Sequence, residues 1–189
     1  MGAHPEHYTF SSGKLQLKAT PVNLDNSKES PIFVGRRQEH IDFTATTSMR
    51  LQKASAGDET GLTVYMFKPA HYDLFVKQQE DGKQAVVLRY RLGAMTHIEK
   101  EVILPQGKVQ LRVKGDKDIY SFEYATDGKN FKEMGRMNAC YISTETPGDL
   151  RESRWAYMQL PARLDQRRTQ ILNISTTRNK HIPVFQKLN

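Results

Sequence analysis

A single cysteine, Cys140, leaves this 189-residue chain with no disulfide framework and no paired-cysteine metal site of its own. A buried, inert thiol is the expected state. The opening residues, MGAHPEHYTFSSGKLQLKA, lack the basic region and apolar run of a signal peptide, and no later stretch is apolar enough to span a bilayer. The expectation is a soluble protein with no membrane partner, either cytoplasmic or cut from the inside of a longer chain. Concentrated basic charge is also missing from most of the chain, although the net charge is +7. Residues 1–146 hold 20 Lys+Arg against 18 Asp+Glu, a net +2, whereas residues 147–189 hold 8 against 3, a net +5. A nucleic-acid binder gathers its charge on one folded face with aromatics placed for stacking, so no nucleic-acid partner is expected.

Metal-ligand spacing is absent too. The six histidines stand at positions 4, 7, 40, 71, 97 and 181, with only His4 and His7 close together, in a terminus expected to fray. No loop has the acidic density of a dedicated calcium site, and no Ser-His-Asp or Cys-His set follows from spacing. No cofactor is expected. Helical periodicity is missing from everything before residue 146.

What the chain does contain is alternation. In Phe33–Gln52, FVGRRQEHIDFTATTSMRLQ, apolar or small side chains recur at Ile41, Phe43, Ala45, Thr47, Met49 and Leu51, which predicts one long strand through the middle of an antiparallel sheet. KLQLKA at Lys14–Ala19 reads as an earlier strand, and the turn-rich PVNLDNSKESP at Pro21–Pro31 as a surface loop. Further strands follow at Leu62–Phe67, Tyr72–Lys77, Gln84–Leu92 and His97–Leu104, with a hairpin signal at Asp81-Gly82. Val109–Lys114 alternates strictly, with Val109, Leu111 and Val113 inward. Ile119–Thr126 carries an aromatic face of Tyr120, Phe122 and Tyr124, and Asp127-Gly128 closes another hairpin. At this length the chain is one domain with a core large enough to need no staple. Many short strands joined by Gly and Asp turns describe an all-β fold, a jelly-roll β-sandwich of two antiparallel sheets.

Four stretches in order, GRRQEHIDFTATTSM (35–49), GLTVYMF with HYDLFV (61–76), QLRVKGDKDIYSFEYATDGKNFKEMG (110–135) and YISTET (141–146), resemble the C-terminal concanavalin A-like sandwich of family 43 glycoside hydrolases, the β-xylosidase and α-L-arabinofuranosidase group. The resemblance spans about residues 10–146. It implies a non-catalytic accessory domain that packs on a five-bladed catalytic propeller, absent from these residues, and in some members lends a loop to the rim of the sugar pocket. Plant cell-wall oligosaccharide is the implied ligand of the parent enzyme. The rival expectation is a free-standing lectin-like module that binds xylan or arabinoxylan on a concave sheet face.

The resemblance divides the chain into a sandwich, 1–146, and an atypical basic tail, 147–189, expected to be poorly packed or to replace the last strand. Family members continue past YISTET with a sequence like GGFTG. Read one nucleotide out of register, the degenerate codons for Gly148–Leu160 permit GFTGVALGIYAT, the missing strand. A frameshift near codon 147 is the expectation that follows.

Candidate residues are few. Glu99 and Glu101 alternate like the paired acids of a sandwich glycosidase, but two glutamates around Lys100 read as a solvated strand face. Asp116 and Asp118 read as turn residues. Arg36, Arg37, Gln38 and His40, together with His71 and Tyr72, are the candidates for a domain interface or sugar contact, because guanidinium forks suit carboxylates and carbonyls and a tyrosine ring offers an apolar face. Trp155, the one tryptophan, lies in the tail.

Overall fold

The structure is a computed structural model that describes residues 8–11, 14–18, 20, 22–25, 32–38, 40–67, 69–142, 154–160 and 169–177. Its thirteen strands are β1 (Tyr8–Ser11), β2 (Lys14–Lys18), β3 (Phe33–Arg37), β4 (Phe43–Arg50), β5 (Glu59–Phe67), β6 (Ala70–Gln78), β7 (Gln84–Leu92), β8 (Met95–Leu104), β9 (Val109–Gly115), β10 (Ile119–Ala125), β11 (Lys132–Asn138), β12 (Arg154–Leu160) and β13 (Thr169–Thr177). They form a seven-stranded sheet ordered β1-β2-β13-β4-β9-β10-β11 and a six-stranded sheet ordered β3-β12-β5-β6-β7-β8. Every pairing is antiparallel. Among the described residues no helix is long and apolar enough to cross a membrane.

The core lies between the sheets. Alternate residues of β9 and β10, among them Leu111, Val113 and Phe122, are fully buried and meet Leu62, Val64, Leu74, Val86 and Leu88 from the other sheet. The alternation read in Val109–Lys114 is the burial observed. At the hairpin tips, Gly82 and Gly128 take φ of 77° and 79°, while Asp81 and Asp127 accept backbone N–H groups two residues on. Asp116 does the same for Asp118 and Ile119.

Three expectations need correction. Phe33–Gln52 is two strands rather than one: β3 lies in the six-stranded sheet and β4 in the seven-stranded sheet. Between them lie Gln38 and residues 40–42, and Ile41 is 62% exposed. That polar stretch has nothing to bury, so the chain changes sheets there, with Gln38 Nε2 donating to the His40 carbonyl and accepting at Oε1 from Tyr120 Oη. Cys140 is exposed, because the short 3₁₀ turn Ala139–Ile142 directs Ile142 inward instead. Glu99 and Glu101 do not share a face. A bulge in β8 opposite Leu88/Arg89 adds one residue. Glu101 then pairs with Val87 and accepts from Gln79 Nε2, whereas Glu99 lies against Gly135 of the other sheet.

The tail supplies interior strands. β12 pairs with β3 on one side and β5 on the other, and β13 with β2 and β4. Without them each sheet would be cut in two.

Candidate functional site

An antiparallel strand with one solvated face should bury every second residue, yet β6 is buried at eight of nine positions. Its core-facing set is Tyr72, Leu74 and Val76; its outward set is His71, Asp73 and Phe75. The outward face of the six-stranded sheet therefore carries buried charge, which requires partners.

Register supplies them. Thr63, Asp73 and Arg89 stand opposite one another on β5, β6 and β7, and Tyr65, His71, Arg91 and Thr96 form the next row. Asp73 is fully buried. Its Oδ1 accepts from Thr63 Oγ1 at 2.8 Å and from His71 Nδ1 at 2.9 Å. Its Oδ2 accepts from Arg89 Nε and Nη2, both at 3.1 Å. Four donors fill the acceptor capacity of one carboxylate. Arg89 also donates from Nη1 to Glu59 Oε2 at 3.2 Å and lies 4.5 Å above the Phe75 ring. A loop brings Asp25 over the face, its Oδ1 3.4 Å from His71 Nε2 and 3.3 Å from Arg91 Nε.

Burial and pairing compete at each group. For Asp73, burial would raise the pKa, but His71, Arg89 and the Thr63 hydroxyl together hold it below the usual carboxylate range. For His71, burial would lower it, but the carboxylates of Asp73 and Asp25 at the two ring nitrogens raise it above the ordinary imidazole value. Burial pushes Glu59 up despite Arg89 and Lys77. Above this network opens a cleft of about 180 Å³ whose walls include Asn23, Leu24, Asp25, Glu59, Arg91 and Thr96.

The residues proposed from sequence do not form one site. His71 belongs to the network. Tyr72, its neighbour on β6, points the opposite way into the core, where its hydroxyl donates to the Asn138 carbonyl at 3.0 Å and its ring meets Tyr90 and Phe122. That ring has no surface to offer a sugar. Gln38 and His40 lie at the crossing between sheets, and His40 is exposed. Arg36 and Arg37 are placed by backbone pairing opposite Trp155 and Arg154. Their side chains and that of Trp155 lie outside what is described, as do His4, His7 and His181. The Arg37 position is three strands from His71 in one register row, about 14 Å at the usual strand spacing.

Asp73, Arg89, Glu59 and Asp25 escape a search by motif. The available signal is one charge inside each of two successive apolar strands, YDLFV and AVVLRY, which in register make a buried pair. Among the described residues no group of His, Cys, Asp and Glu is arranged to hold a metal ion.

Comparison with known proteins gives the site its setting. A family model, the beta xylosidase C-terminal concanavalin A-like domain, matches residues 3–156. The non-reducing end alpha-L-arabinofuranosidase BoGH43B of Bacteroides ovatus is 27% identical over 115 residues, covering 61% of this chain and 22% of its own. A crystal structure of a mutant of the GH43 protein BlXynB from Bacillus licheniformis superposes with a TM-score of 0.82 at 14% identity, over 92% of this chain and 34% of that one. A functionally unknown protein from Saccharomyces cerevisiae superposes with a TM-score of 0.65 at 14% identity, over 92% of both chains. The chain thus spans about a fifth of the curated relative and about a third of the bacterial structure.

Proposed function

From the premise that this chain belongs to the beta-xylosidase C-terminal concanavalin A-like domain family, we propose that it is the non-catalytic accessory sandwich of a family 43 glycoside hydrolase acting on xylan-derived sugars. It packs on a catalytic propeller and shapes the rim of that propeller's sugar pocket. The observation that carries this is the asymmetric cover: 92% of this chain answers to 34% of a GH43 protein, which leaves the larger part of such an enzyme for another domain. The acids described here favour the same reading. Glu99 and Glu101 diverge at the bulge, and Glu59 and Asp25 are tied to Arg89 and Arg91. Glycoside hydrolysis needs a protonated acid and an ionised carboxylate flanking the scissile bond across a cleft.

Arg36, Arg37, Gln38 and His40 remain our candidates for the docking surface. The test is titration of the chain with a separately produced family 43 propeller. Saturable one-to-one binding is expected, with no hydrolysis of aryl xylosides by the chain alone. Turnover by the chain alone, lost on Glu99→Gln or Glu101→Gln, would overturn the reading.

A second reading is favoured by the yeast protein, in which this fold accounts for 92% of a whole solved chain. Here the sandwich is a free-standing lectin-like module. Saturable binding of xylo-oligosaccharides without affinity for a propeller would select it.

We also propose that residues 1–146 and 147–189 differ in origin, by a one-nucleotide slip near codon 147. In its support, the apolar ALGIYAT of the alternative frame falls on residues 154–160, the span of β12.

A further inference from the structure

We propose that residues 22–25, on the way from β2 to β3, form a clasp worked by pH: it is shut on the outward face of the six-stranded sheet while the His71 ring is a cation, and it opens when the ring is neutral. The inference stands on the geometry of this face and holds whether or not the chain docks on a propeller.

The stretch alternates. Val22 and Leu24 are buried, whereas Asn23 and Asp25 are exposed. Leu24 packs with Tyr65 and Phe33 in a small apolar cluster apart from the main core, a hold that does not depend on pH. Asp25 supplies the other hold. Its Oδ1 lies 3.4 Å from His71 Nε2 and 3.3 Å from Arg91 Nε, and those two residues stand directly opposite each other on β6 and β7. Arg91 Nε makes no hydrogen bond, so of the two it is His71 that donates one to Asp25.

The other ring nitrogen is committed. Nδ1 donates to Asp73 Oδ1 at 2.9 Å within the buried network, where Arg89 and Thr63 also hold that carboxylate. With a carboxylate at each ring nitrogen, only the imidazolium can donate to both. When one proton leaves, the buried Asp73 keeps the one that remains, and Nε2 turns a lone pair toward the Asp25 oxygen. Attraction then gives way to repulsion between two acceptors. Around the ring, Arg91 faces it from β7, Arg89 and Glu59 lie beyond Asp73, and Tyr65 of β5 stacks on it at 6.0 Å. Arg154 of β12 and Arg37 of β3 continue the same register row. Of these groups the imidazole is the one that ordinarily titrates near neutral pH. Burial disfavours its charged form, but Asp73 and Asp25 outweigh burial and set its folded pKa above the ordinary imidazole value. The clasp is therefore shut below that folded value and loosens as pH rises through it.

The test is alkylation by iodoacetamide of a cysteine placed under the clasp, Leu24→Cys in a Cys140→Ser chain, from about pH 6 to about pH 9, each rate divided by that of a free thiol peptide at the same pH. The normalised rate should rise about tenfold across the range, the worth of one charge-assisted hydrogen bond at a carboxylate that is 40% exposed. Asp25→Asn in the same chain should abolish the rise, because an amide can either accept from Nε2 or donate to it. Ala125→Cys, at a buried position on β10, reports global opening and should show no such rise. A normalised rate that stays flat would overturn the proposal. So would a rise that survives Asp25→Asn, or one that Ala125→Cys shares.

Discussion

Asp73→Asn is the sharpest perturbation of the buried network, because it keeps the shape of the side chain and removes only its charge and two acceptor positions. Turned toward Arg89, the amide NH₂ meets two donors. Turned toward Thr63 and His71, it requires the Thr63 hydroxyl to act as acceptor and His71 to be neutral with a bare Nδ1, and Arg89 then keeps an amide oxygen in place of a carboxylate. Removing one partner of a buried ion pair costs about 3–5 kcal/mol. Arg89 keeps Glu59 at 3.2 Å and is 21% exposed, which places the expected loss at the lower end, about 3 kcal/mol. For a chain of this size that corresponds to a fall in Tm of about 6–12 °C. Urea unfolding at several pH values is the assay. In the parent protein the raised His71 pKa contributes stability that is complete below the unfolded imidazole value and is lost as pH rises through the folded value. The lowered Asp73 pKa contributes stability present above the unfolded carboxylate value and lost as pH falls through the folded one. Asp73→Asn abolishes the acid-side loss from this residue. It also leaves burial as the dominant influence on His71, so the neutral-side slope should flatten or reverse. A loss under about 1 kcal/mol, or an unchanged slope through neutral pH, would refute the network as a source of stability.

Gly61→Ala should cost about 3 kcal/mol in urea unfolding, since a Cβ there would lie 2.2 Å from the Leu74 carbonyl oxygen and 2.4 Å from Phe75 Cα, both backbone atoms. Gly107→Ala, with open space around it, serves as the control and should change stability little. Phe122→Ala removes a fully buried ring and should cost about 3–5 kcal/mol by the same assay. Hydrogen exchange distinguishes the two expectations for the tail: amides of residues 154–160 and 169–177 exchange with global unfolding if these strands close the ladders, and within seconds if the tail is loosely packed.

Strand periodicity made most of the sandwich legible. VQLRVK and IYSFEYA alternate because one face meets the core and the other water, and period two records that directly. Sheet membership was not legible: nothing local in GRRQEHID distinguishes a continuing strand from one that changes sheets, because the determinant is which distant strand stands alongside. The β8 bulge was hidden for the same reason. It is defined by register against β7, so the alternation that seemed to align Glu99 with Glu101 was broken by one residue. The candidate network was half legible. His71 is among the residues the sequence singles out, whereas Asp73 and Arg89 are lone charges within apolar strands, and only pairing in space turns two costly charges into a satisfied set.

Sequencing the genomic DNA upstream of Met1 and across codons 140–165 decides whether, as proposed, this sandwich is one part of a family 43 glycoside hydrolase. The expected result is an upstream frame encoding a propeller, with a one-nucleotide slip near codon 147 that restores a strand like GFTGVALGIYAT. An intact frame with its own promoter and no propeller would contradict it and leave the free-standing lectin as the reading to pursue.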